Sequence, residues 1–354
     1  MKTAKDNTPL LFLKSRNSKN DDNTSFYDGA IAGALLATGA FLFGRAMLTG
    51  YLESNLFNPT DKNHKPLESP DKYGLEGEAK KLDTKDGDTI EIWHLKGKKD
   101  KPTVVFQHGN TGNLSYVSLD PKHQEENTAF RIQYLRKLQE QGIETIAVSS
   151  RGFGNSTGKP SEDNFKRDAV AVADYLEAQN IKPENTIITG ESLGTSTATI
   201  LAEEMTSRSK PPAGLTLIAP FSSMRSLILE KSAAPAFLID MVLNHPLDTN
   251  KRLEHIASAA RSNNKPLPHL LVVSPSEDKI IHPSHGDTLT ATANKHDIPH
   301  TRQYQKASHV NWDASEVIDA TLKIYNERPK EPLYSNGWGD RITKKDIPPL
   351  TNIR

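Results

Sequence analysis

Gly190-Glu-Ser-Leu-Gly194 lies between two stretches that read in opposite ways. Asn185-Thr-Ile-Ile-Thr189 in front is short and β-branched, the pattern of a buried strand. Thr195 to Met205 behind reads as a helix despite its threonines. A strand that becomes a helix within five residues needs a sharp turn. That turn strains its central residue and lifts the Ser192 hydroxyl above the sheet edge. A Cβ at either glycine would collide with the neighbouring strand or helix. The Leu193 N–H stands at the helix start, where backbone donors are unpaired and a developing oxyanion is stabilised. The bare pentapeptide is a chance match in many turns. With these flanks it reads as a nucleophile elbow.

Around the elbow the chain alternates. Glu78 to Thr84 and Asp88 to Leu95 flank Asp86-Gly87 and predict an antiparallel hairpin. Pro102 to His108 reads as a buried strand that runs into His108-Gly-Asn-Thr-Gly-Asn113. Glu125 to Gln141 carries Phe130, Tyr134, Leu135 and Leu138 at helical spacing. Ile143 to Val148 is a strand, followed by the loop Arg151 to Gly158. Ser161-Glu-Asp163 opens a helix from Asn164 to Ala178. Gly214 to Ala219, Leu270 to Val273 and Thr301 to Gln305 are further strands. Strands alternating with helices predict an α/β fold, a mostly parallel sheet with helices on both faces. The stretch 221–255 breaks the rhythm with many apolar residues and with Pro235 and Pro246. It is expected to form a small helical lid or ordinary core helices.

A serine hydroxyl needs a base within reach, and the base needs an orienting carboxylate. In strand–loop order, the loop after Leu270–Val273 offers Asp278 and the loop after Thr301–Gln305 offers His309. Both belong at the carboxyl ends of parallel strands, as Ser192 does. Glu277 is the rival acid. His282 and His285 follow the acid too soon to occupy the separate last loop as bases. They also combine with Asp287 as a metal reading that their spacing does not demand, and otherwise read as surface histidines at a helix start. His108 more readily shapes its loop than reacts. The second oxyanion donor is expected from the loop after Pro102–His108, at Asn110, with Thr111 next.

The rest of the chain bounds the setting. Residues 1–28 are a polar tail. Residues 29–52 are apolar, without charge from Gly29 to Gly44 and interrupted by Arg45. A membrane anchor is the preferred reading, ahead of a helix packed on the main domain and of a cleaved signal peptide. A linker follows over 53–76, then the main domain over 77–328, then a C-terminal extension over 329–354. Lys plus Arg number 44 and Asp plus Glu 44, so no basic excess points to nucleic acid. The chain has no cysteine, which excludes a thiol nucleophile and cysteine-ligated zinc.

His108-Gly-Asn-Thr-Gly-Asn113, Arg151-Gly-Phe-Gly-Asn-Ser156, Gly190-Glu-Ser-Leu-Gly194 and the set Asp278, His285-Gly286 and His309 together resemble the α/β-hydrolase superfamily. Within it they resemble the branch of membrane-anchored serine hydrolases related to lysophospholipases and monoacylglycerol lipases. Phe57-Asn-Pro59 after the apolar segment is similar to that branch too. Ser149-Ser150 stands where the branch often has Asp-Tyr, and His282 where Pro is common. The resemblance implies a Ser192–His309–Asp278 triad, an oxyanion hole from Leu193 and Asn110, a carboxylic ester or lipid substrate, membrane association and no cofactor. The alternatives are another acyl hydrolase, such as a depalmitoylase or an aminopeptidase-like enzyme, and a non-catalytic interaction protein on the same fold.

Overall fold

The computed structural model describes residues 67–115 and 130–328, together with Leu42, Arg45 and Phe57. The polar tail, most of the apolar segment 29–52 and the extension 329–354 lie outside the described residues, and the expected anchor lies there with them. Among the described residues no helix is long and apolar enough to cross a membrane. The chain divides into two units, 1–50 and 51–354. Everything below belongs to the second.

The hairpin forms as its D-G turn requires. β1 (Gly77–Asp83) pairs antiparallel with β2 (Thr89–Leu95), and β2 pairs antiparallel with β4 (Glu144–Ser149). β3 (Thr103–Gln107), β5 (Thr186–Glu191), β6 (Gly214–Ile218), β7 (His269–Pro275) and β8 (His300–Gln305) continue the sheet in parallel. The order is β1-β2-β4-β3-β5-β6-β7-β8. Its direction of growth reverses between β3 and β5, the switch point at which open α/β sheets place their sites.

Period-two alternation divides the core between the two faces. Val105, Ile146, Ile188, Leu215 and Val272 join one cluster, under α2 (Glu162–Ala178), α3 (Gly194–Ser207), α6 (Thr249–Ser262) and α7 (Ser284–Lys295). Val104, Phe106, Ala147, Ile187 and Val273 join the other, under α1 (Phe130–Glu140) and α8 (Ala314–Glu327). Continuous apolar runs in β3 and β7 follow from burial on both sides. The helix expected over Glu125 to Gln141 is described from Phe130. α8 adds an element to the sequence reading. Asp313 caps it, and it buries Val317, Ile318 and Ile324.

Two expected boundaries move. The end of the 53–76 linker is packed, with Leu67 and Leu75 buried and Tyr73 stacked on Trp93 at 5.4 Å. Phe57 is also buried, edge-on to Phe165. The stretch 221–255 holds two short helices, α4 (Met224–Lys231) and α5 (Ala236–Val242), but its end belongs to α6. Asp248 caps α6 through Lys251 N–H, and Leu253 and Ile256 face the core. The insert between β6 and α6 is therefore shorter than expected. Its two ends are bonded to each other, Met224 N–H to Pro246 O at 2.9 Å and Asn250 N–H to Ser222 O at 3.2 Å.

Arg151, whose side chain is fully buried, ties the hairpin to the next layer. It donates to Asp168 on α2 at 2.7 Å and to Asp86 and Asp88 of the hairpin turn at 2.7 and 2.8 Å. Burial raises the Asp168 carboxyl pKa to about 6, while the Arg151 hydrogen bond holds Asp86 below the usual carboxylate range. Removing one partner strands the other charges, so Arg151→Met is expected to lower the unfolding free energy by about 3–5 kcal/mol. Urea denaturation checks this; a loss under about 1 kcal/mol would show that the carboxylates find other partners.

Candidate active site

Ser192 follows β5 with φ 54°, in the left-handed region that a side chain disfavours. Its N–H donates to Ile218 O at 2.9 Å and its carbonyl accepts from Thr195 N–H, which locks the turn between β6 and α3. A Cβ at Gly194 would fall onto the Gln107 carbonyl, and one at Gly190 onto the Gly194 carbonyl. The elbow thus brings strand and helix backbones into direct contact. The threonines of α3 fit because they bond backward along the helix. Thr199 Oγ1 donates to Thr195 O at 2.6 Å and Thr206 Oγ1 to Ala202 O at 2.7 Å, so buried hydroxyls stay satisfied.

The loops after β7 and β8 bring Asp278 and His309 to this serine. His309 Nδ1 lies 2.7 Å from Asp278 Oδ2, and Nε2 lies 3.0 Å from Ser192 Oγ. Asp278 Oδ1 accepts from the N–H groups of Ile280 and Ile281 at 2.8 and 2.9 Å. A carboxylate is acceptor only, so Nδ1 carries the proton and Nε2 faces the hydroxyl as acceptor. Asp278, His309 and Ser192 are all buried. The two loops are stitched together by Ser276 N–H to Gln305 O at 2.7 Å and Glu277 N–H to Ala307 O at 3.0 Å. Trp312 secures the histidine loop against Tyr134, with ring centroids 5.4 Å apart.

A cavity of about 450 Å³ opens onto this group. Asn110, Thr111 and Leu193 stand in its wall beside Ser192 and His309. Phe130, Phe221, Met224, Leu227, Ile228, Ile280, Ile281 and Val310 line most of the rest, with Arg131, Glu191 and Lys231 among them, and α4 of the insert roofs it. His108 is buried, and its Nδ1–H donates to Gly109 O at 2.7 Å. Burial, aided by nearby Arg131, lowers its pKa to about 3 and keeps it neutral.

The rival residues separate. Glu277 is exposed and is not the carboxylate that meets His309. His282 and Asp287 are exposed, but the surface reading fails for His285, which is buried. Its Nδ1 accepts Ser222 N–H at 3.2 Å, with Ser222 Oγ at 2.8 Å, and its Nε2–H donates to Glu230 of α4 at 3.0 Å. It pins the insert to α7, and its burial pulls the imidazole pKa below its usual value. Among the described residues no group of His, Asp and Glu is arranged to hold a metal ion.

The pair Glu191 and Arg131 escapes a motif search. Glu191 is the variable second residue of the pentapeptide, and Arg131 lies 60 positions upstream on α1. The one available signal was a charged residue at the end of a strand that is otherwise uncharged.

The comparisons agree with this architecture. Residues 102–260 match the family described as alpha/beta hydrolase fold. The crystal structure of an alpha-beta hydrolase from Vibrio vulnificus superposes with a TM-score of 0.56 at 22% identity, over 70% of this chain and 81% of that one. The fold is that of the α/β hydrolases. Among curated proteins, the chain is 33% identical over 125 residues to the lysophosphatidylserine lipase ABHD12 of Xenopus tropicalis, 35% of this chain and 29% of that one. It is also 32% identical over 156 residues, 43% of this chain, to a multifunctional-autoprocessing repeats-in-toxin of Vibrio cholerae, of which that is 3%. The chain spans 29 to 33% of the length of the first three curated relatives it matches.

The strained turn is open to measurement. A left-handed non-glycine residue costs about 1–2 kcal/mol, whereas glycine's extra freedom when unfolded costs about 0.5–1 kcal/mol. Ser192→Gly is therefore expected to be about 0.5–1 kcal/mol more stable than Ser192→Ala. Equal urea midpoints would show that the turn is unstrained.

Proposed function

We propose that this chain is a serine hydrolase that cleaves carboxylic esters of lipid-like acyl groups through an acyl-enzyme on Ser192. The observation that carries the reading is the His309 ring, bridging Asp278 at 2.7 Å and Ser192 at 3.0 Å inside a buried site. A non-catalytic interaction protein has no need of that bridge.

Ser192 Oγ attacks the acyl carbonyl carbon as His309 Nε2 takes its proton. Asp278 keeps the ring oriented and stabilises the imidazolium. The N–H groups of Leu193 and Asn110 hold the tetrahedral oxyanion. Collapse expels the alcohol, which leaves with the proton from His309. A water deprotonated by His309 then attacks the acyl-serine, releases the carboxylic acid and restores Ser192. Each step runs on these side chains and water.

The substrate class rests on the walls and on likeness. The largely apolar cavity roofed by α4 suits an acyl chain. Ile280 in its wall and Phe237 on α5 are 57% and 68% exposed, an apolar fringe fitted to an amphiphile. The frog relative is named for lysophosphatidylserine. A lysophospholipid or monoacylglycerol follows as substrate, with the insert as lid and the segment 29–52 as membrane anchor.

A fluorophosphonate probe is expected to label the natural chain and not Ser192→Ala; no labelling of the natural chain would overturn the reading. Asp278→Asn is expected to lower kcat about 10³–10⁴-fold with the fold intact, because His309 loses its tautomer. Turnover of short soluble esters without long-chain lipids would end the lipid assignment. Recovery of the full chain in the soluble fraction after a carbonate wash would end the anchor.

A further inference from the structure

Glu191 precedes the nucleophile directly, and its side chain is buried with that of Arg131, each 3% exposed. Glu191 Oε2 accepts from Gly109 N–H and from Arg131 Nε–H, both at 2.9 Å. Arg131 Nη1 then donates to Thr111 O and to Asn113 O, both at 2.8 Å. One carboxylate–guanidinium pair thus grips the loop at Gly109, Thr111 and Asn113, on both sides of Asn110. The approach is close enough that a Cβ on Gly109 would stand 2.6 Å from Glu191 Oε1.

A buried ion pair adds little net stability over an apolar pair of the same volume. What it adds here is direction. The loop after β3 and the serine after β5 belong to different strands, and their separation has to be held to a fraction of an ångström for an oxyanion to meet both donors. The chain fastens the donor loop to the residue covalently joined to the nucleophile. If the sheet flexes, Ser192 and Asn110 move together.

We propose that Glu191 and Arg131 are positioning residues that set the distance between the Ser192 nucleophile and the oxyanion donor in the 109–113 loop. This rests on the hydrolase reading above. Oxyanion contacts strengthen in the transition state, so a displaced loop lowers kcat and leaves KM nearly unchanged. Removing one oxyanion donor outright costs about 10²–10³-fold. A displaced donor is expected to cost about 10–100-fold on the same scale.

The test uses the full chain with a short p-nitrophenyl ester. Glu191→Gln removes the charge and keeps the shape. The double variant Glu191→Leu with Arg131→Met replaces the pair by apolar groups and strands no charge if the single variant unfolds. Expected for the folded variant are a fall in kcat of about 10–100-fold, a KM within about threefold of the natural chain, and a parallel loss of affinity for a trifluoromethyl ketone. That inhibitor forms a tetrahedral oxyanion on the serine, so a merely structural role would not tie its affinity to kcat. Unchanged kcat in a folded variant, or a lower kcat with undiminished ketone affinity, overturns the proposal. Absence of Ser192-dependent turnover and labelling in the natural chain overturns the hydrolase reading and with it the oxyanion role. Normal turnover there, with unchanged variants, overturns the positioning role alone.

Discussion

Gly194 leaves no room for a side chain between the start of α3 and the Gln107 carbonyl at the end of β3. Backbone touches backbone there, and the rest of the site is arranged around that contact. It forces β5 to turn at Ser192 with a positive φ, it brings the helix start against the strand that leads to Asn110, and it points the hydroxyl toward the loops after β7 and β8. The surrounding core holds the turn, because Ile188 beneath it and Leu201 behind it are buried without remainder.

Two buried guanidinium groups perform comparable work at different distances from the chemistry. Arg151 gathers three carboxylates and fixes the hairpin to α2. Arg131 gathers one carboxylate and two carbonyls and fixes the loop that faces Ser192. Each replaces many weak contacts by a few directed ones, which suits places where loops rather than regular elements must hold a shape.

Local signals explain which parts were readable in advance. The Asp86-Gly87 turn, the Ser161 cap of α2 and the strand–glycine–helix junction at Ser192 are each encoded within a few neighbouring residues. Asp278 and His309 were accessible because each follows a strand in a chain that alternates regularly, and the structure brings both to Ser192. The rest depends on distant partners. Nothing near Glu191 announces Arg131, and nothing near His285 announces that Ser222 and Glu230 will enclose it. The boundary between insert and α6 was hidden for a related reason. Residues 249–255 carry a single apolar side chain, Leu253, and only their packing on α3 shows that they open a long helix.

The insert between β6 and α6 leaves and re-enters the sheet layer through one opening, its two ends hydrogen-bonded to each other. A segment closed at its own base behaves as a plug-in part. Ser192, Asp278 and His309 stand on loops after β5, β7 and β8, none of which passes through that opening. Away from its contacts with His285 and Lys279, the insert can therefore lengthen or shorten while Ser192, His309 and Asp278 keep their geometry. In this architecture, the cavity roof and the Ser192–His309–Asp278 cluster can evolve on separate schedules.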